Sequence, residues 1–203
     1  MSRSEAYAKA RAAAASIRIQ YGINGPCLKL SDMRAIYRDQ GIKLVYWPHK
    51  MRVLRGAYIL DDLGPTVMVY QKLPTDPKVF TLAHELKHHL LDSGVCSTSL
   101  VDDNSAEREI AAEVFAAELL LPEDIFLTEM AARNLFPRSG ASIEATKIAI
   151  VRFKRESGTT LSYQGLAKRA ERLGFGAKGT LTNVHWKKFE ESQYGIPFYI
   201  RKK

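Results

Sequence analysis

The segment Thr81-Leu82-Ala83-His84-Glu85-Leu86-Lys87-His88-His89-Leu90-Leu91 carries the residues best suited to chemistry in this chain. His84 and His88 stand four apart. On a helix they project from one face, one above the other, so two imidazole nitrogens can reach a single ion at roughly 2.0–2.1 Å. Glu85 is next to the first histidine, where its carboxylate reaches a water beside that ion rather than the ion itself. This is the H-E-x-x-H arrangement of zinc peptidases. Phe80, Leu82, Leu86, Leu90 and Leu91 surround the motif with apolar side chains. Burying two imidazoles and a carboxylate among them is costly unless they have a partner.

A catalytic zinc takes three protein ligands and leaves one position open. After His89 the next histidine is His185, and His89 itself points roughly 100° away from His88. A carboxylate is therefore the better third ligand. The helix expected from Asn104 to Leu121 carries Glu107, Glu109, Glu113 and Glu118. Glu109 and Glu113 share a face, with Ala112 and Ala116 small enough for close approach to the histidine helix. Glu107 and Glu118 fall roughly opposite and are expected to face solvent. One of the Glu109/Glu113 pair can bind the ion while the other accepts the free N–H of a ligand histidine.

These residues resemble the ImmA/IrrE family of metallo-endopeptidases. That family pairs H-E-x-x-H with a later E-x-x-A-N-x-F-A-A-x-L-L-x-P. Here the second motif reads Glu109-Ile110-Ala111-Ala112-Glu113-Val114-Phe115-Ala116-Ala117-Glu118-Leu119-Leu120-Leu121-Pro122. The likeness covers residues 30–125 and extends towards 174 through Leu161 to Arg169. By position it implies His84, His88 and Glu109 as metal ligands and Glu85 as the catalytic glutamate. Zinc is the implied ion, with Mn²⁺ an alternative. The family has Asn where this chain has Glu113, and an acid there suits an acceptor behind a ligand histidine. The resemblance further implies a protein substrate, a helix-turn-helix transcriptional repressor or antitoxin-like regulator.

The elements that must position these groups define an α+β chain. A helical zinc-peptidase core (residues 1–130) holds a small three-stranded antiparallel sheet, and a basic, mainly helical region (131–203) follows. Helices are expected over residues 4–20 and from a Ser31-Asp32 cap to Gln40. Strands are expected over Ile42–Trp47, Val53–Leu60 and Thr66–Gln71, with turn-forming residues between them. The last of these strands or its neighbour could hold substrate as an added strand, and Tyr58 or Tyr70 could assist the oxyanion. Thr75-Asp76-Pro77 opens the histidine helix, which is expected to run to Asp92. Further helices are expected from Pro122-Glu123-Asp124, over Ile143–Glu156 and over Ser162–Leu173. The segment from Thr180 gives a mixed signal.

Composition excludes several classes. Hydrophobic residues make up 46% and charged residues 26%, which is globular rather than disordered. No apolar run reaches the roughly 18 residues of a membrane span, and the N-terminus lacks a secretory signal. Cys27 and Cys96 lie in no disulfide or zinc-finger spacing. A cytoplasmic location is expected. The net charge of +8 is uneven: residues 1–130 hold 15 basic and 17 acidic residues, and residues 131–203 hold 15 and 5. A basic region of this kind allows a second reading, a DNA-binding regulator with Lys154, Arg155, Lys168, Arg169 and Arg172 facing phosphates. A module with structural zinc is the third, but such sites usually recruit cysteines.

Overall fold

The structure, a computed structural model, describes residues 3–49, 55–93 and 105–195. Asn104, where the expected second site helix begins, and Val53, where the expected second strand begins, lie outside them. Helix α1 (Arg3–Gln20) is rich in alanine and buries Ala10, Ala14 and Ile17 along one face. It packs on α4 (Ser105–Leu120), whose own buried stripe includes Ala112, Phe115, Ala116 and Leu119. Arg18 ends α1 as a buried cap. It donates to the carbonyls of Leu119 and Gly25, both at 2.7 Å, satisfying an acceptor that the end of α4 would otherwise leave bare.

Helix α2 (Leu30–Asp39) is capped two residues earlier than the Ser31-Asp32 expectation. Lys29 is the capping position, and Asp32 accepts its backbone N–H at 2.7 Å from inside the first turn. Gly41, at φ 68°, closes the helix and turns the chain into the sheet.

Strands β1 (Lys43–Trp47), β2 (Gly56–Asp61) and β3 (Gly64–Tyr70) lie in the order β1-β3-β2. The antiparallel expectation holds only for β2 and β3, joined by a hairpin that pairs Gly56 with Val69 and Asp61 with Gly64. β1 runs parallel to β3, with Lys43 opposite Thr66 and Trp47 opposite Tyr70. β3 lies between the two earlier strands. As the central strand, β3 has no free edge to offer a substrate; the expected added strand has to fall to a neighbour.

Helix α3 (Thr75–Lys87) packs against β2, β3 and α4 and buries Val79, Leu82 and Leu86. The backbone then widens into a π-helical turn, His88–Asp92, where an unbroken α-helix was expected. Tyr37 of α2 is fully buried and donates to the carbonyl of Leu82 at 2.7 Å, fastening α2 under the histidine helix.

The chain divides into two compact units, one of Met1–Pro122 with Thr159–Leu161, the other of Glu123–Gly158 with Ser162–Lys203. The second unit contains α5 (Glu123–Ala131), α6 (Ile143–Ser157), α7 (Tyr163–Leu173) and α8 (Trp186–Tyr194). Ser142 caps α6 by accepting from the Ala145 N–H, and Ser162 caps α7 by accepting from the Gly165 N–H. Phe126 meets Phe153 and Phe175 edge to face in its core. The mixed signal after Thr180 resolves into α8, whose Trp186 stacks on Tyr163. No helix among the described residues is long and apolar enough to cross a membrane.

Candidate metal centre

His84 sits in the last turn of α3, and His88 opens the π turn that follows. Glu109 lies in the second turn of α4. The fold brings these side chains to one point. His84 Nε2 is 3.1 Å from Glu109 Oε2, His88 Nε2 is 3.4 Å from Glu109 Oε1, and the two Nε2 atoms are 3.3 Å apart. Bonds of roughly 2.0–2.1 Å to a tetrahedral ion place ligand atoms about 3.3–3.4 Å from one another. The two histidine nitrogens are at that spacing, each lies near a Glu109 oxygen, and one ligand atom from each side chain falls within 4.8 Å of the others, so the group could hold one zinc-sized cation. Two imidazole nitrogens aimed at each other cannot both present a proton there, whereas a shared cation satisfies both lone pairs. The donor set of two imidazoles and one carboxylate also suits zinc.

The environment sets the charges of these groups. Hydrogen bonds from His84 and then His88 hold the Glu109 carboxyl well below the usual carboxylate range, so it is ionised. Burial pulls His88 down, but its hydrogen bonds with Asp92 and Glu109 prevail and raise it to about 9. A metal ion must displace that proton to bind.

Glu85 lies apart from the three ligand atoms and is only 7% exposed. Burial pushes its carboxyl up; the neighbouring His84 and His88 and a hydrogen bond from the Tyr58 backbone act in the opposite sense. β2 approaches so closely here that Gly56 has no room for a side chain. A Cβ would come within 2.5 Å of Thr81 Cγ2 and 3.2 Å of Glu85 Oε1.

Two expectations about neighbouring groups change. The carboxylate behind His88 is Asp92, one turn along its own helix, with Oδ2 2.6 Å from His88 Nδ1. The role assigned to Glu113 on another helix falls, for His88, to Asp92; Glu113 itself occupies an exposed position. Asp92 was readable in principle, since it continues the His84/His88 spacing by four. Lys87, buried beside it, was not considered. Glu107, expected to face solvent, lies 3.5 Å from Arg3. The Tyr58 hydroxyl lies 3.2 Å from His89 Nδ1.

The basic side chains of the second unit are also drawn into internal contacts. Arg155 pairs with Glu190 and Arg172 with Glu123, Lys154 lies over the Tyr163 ring, and Arg169 is buried.

Two histidines a helical turn apart, a buried glutamate between them in sequence and a carboxylate from a second helix are the groups that a zinc peptidase site uses. Residues 38–147, just over half of the chain, match the family described as the IrrE N-terminal-like domain, a peptidase family. The chain belongs to that family, and the resemblance to the ImmA/IrrE metallopeptidases is one of membership. No curated protein matches it.

Proposed function

We propose that the protein is a zinc-dependent endopeptidase, with His84, His88 and Glu109 as ligands and Glu85 as the catalytic base and acid. The observation that carries this reading is the convergence of one ligand atom each from His84, His88 and Glu109 to within 4.8 Å of one another. A divalent cation held there supplies Lewis acidity and a lowered water pKa. Glu85, buried and raised, takes a proton from the water as its oxygen attacks the scissile carbonyl carbon. It then delivers that proton to the amide nitrogen as the C–N bond breaks, giving a carboxylate and an amine. β2 is the edge strand beside Glu85, and it takes the place expected of β3 in holding an extended substrate segment.

The substrate we propose is a helix-turn-helix repressor or antitoxin-like regulator, a class supported by the ImmA/IrrE resemblance. Incubation with the helix-turn-helix regulator encoded nearest to its gene, followed by mass spectrometry of the products, tests this. Wild type should cut one or a few bonds, and Glu85→Gln should keep its fold and metal while cutting none. Cleavage by Glu85→Gln at the wild-type rate would remove Glu85 from the mechanism.

A further inference from the structure

Lys87 lies inside H-E-x-x-H, at a position where a helical lysine would ordinarily reach water. Instead it is 3% exposed. Its Nζ donates to Asp92 Oδ2 at 2.7 Å and to the carbonyl of Arg108 at 3.0 Å. Desolvating an ammonium costs several kcal/mol unless its protons find partners, and both partners here border the metal centre. Asp92 Oδ2 is the atom that meets His88 Nδ1 at 2.6 Å, and Arg108 immediately precedes Glu109.

The backbone is shaped for this contact. Residues five apart on an α-helix diverge by about 140°. The π turn over His88–Asp92 relaxes that divergence and lets Lys87 and Asp92 meet. Single π turns of this kind recur at functional sites.

We propose that Lys87 is a positioning residue of the metal centre: anchored on the Arg108 carbonyl, it locks Asp92 against His88 Nδ1. This inference rests on the metal-binding reading proposed above. With Asp92 fixed as an acceptor, His88 carries its proton on Nδ1 and turns a bare Nε2 lone pair towards the ion. Without Lys87, Asp92 loses its second tether and can swing towards water.

The test compares wild type, Lys87→Met, Asp92→Asn and the double variant. Zinc affinity is measured by chelator competition, the visible absorption bands of the Co²⁺-substituted protein report ligand geometry, and circular dichroism reports the fold. Lys87→Met and Asp92→Asn should each weaken zinc by roughly 10–100-fold, the usual effect of removing such an outer partner, and shift the cobalt bands. The double variant should match Asp92→Asn within about threefold, because both changes break one link. A purely structural lysine would lower the melting temperature but leave zinc affinity and cobalt bands unchanged, which overturns the proposal. Should the unpaired Asp92 unfold Lys87→Met, the double variant removes both charges and decides the matter. A further tenfold loss relative to Asp92→Asn overturns it. If wild type itself binds no zinc, the metal-centre reading fails; if wild type binds and Lys87→Met binds equally well, only this inference fails.

Discussion

His88 faces Asp92 with its Nδ1 at 2.6 Å and Glu109 with its Nε2 at 3.4 Å. One imidazole is therefore held between two carboxylates on different helices. That arrangement stabilises a proton in the absence of metal and an ion in its presence. The competition between the two has a definite dependence on pH.

The metal-free protein should lose stability as pH rises from about 6.5, the ordinary histidine value, through about 9, the value His88 reaches in the fold. The sign follows from linkage: a raised value means that the folded state binds the proton more tightly, so the stabilisation is present below the ordinary value and lost above the raised one. Zinc should bind more tightly across the same interval, because fewer protons need to be displaced. Thermal melts of metal-free and zinc-loaded protein between pH 6 and 9.5 measure both. A metal-free melting temperature that climbs over this interval contradicts the assignment.

Gly56→Ala should destabilise the core by about 1–3 kcal/mol, the usual cost of overpacking, since its Cβ meets Thr81 Cγ2 at 2.5 Å. Activity should fall further than stability alone explains, because the same strand donates a backbone hydrogen bond to Glu85. Adding Thr81→Ser removes the clashing methyl and should recover part of the stability in urea unfolding. Equal stability of Gly56→Ala and wild type would show that β2 and α3 are less closely fitted than their coordinates indicate.

Arg18→Met should cost about 1–3 kcal/mol, chiefly by leaving the buried Leu119 carbonyl without this donor. Leu119 and Gly25 lose the bonds that hold the end of α4 and the chain after α1. Zinc affinity at 25 °C should stay within a few-fold of wild type, because Glu109 lies at the other end of α4. Chemical denaturation and chelator competition check the two halves of this expectation.

What was legible in the sequence was whatever a single helix determines. The four-residue spacing put His84 and His88 on one face, and Ala112 and Ala116 indicated which side of α4 could approach them; both alanines are fully buried. Glu109 followed from that face together with the family motif. Strand pairing was less readable, because alternation of side chains assigns faces but not neighbours. The parallel β1–β3 ladder pairs strands that are not neighbours in sequence. The π turn was invisible because its residues have the composition of an ordinary helix. On a regular α-helix Lys87 and Asp92 point apart, and the expected acceptor behind a ligand histidine falls on α4 as Glu113.

The most direct test of the metal centre is zinc titration of wild type, Glu109→Ala and Glu113→Ala, with bound metal measured per chain. Wild type and Glu113→Ala should each bind one zinc ion. Glu109→Ala should lose more affinity than the roughly 10–100-fold typical of an outer partner, with its helical content retained. Undiminished zinc binding by Glu109→Ala, or loss confined to Glu113→Ala, would contradict the proposed ligand set.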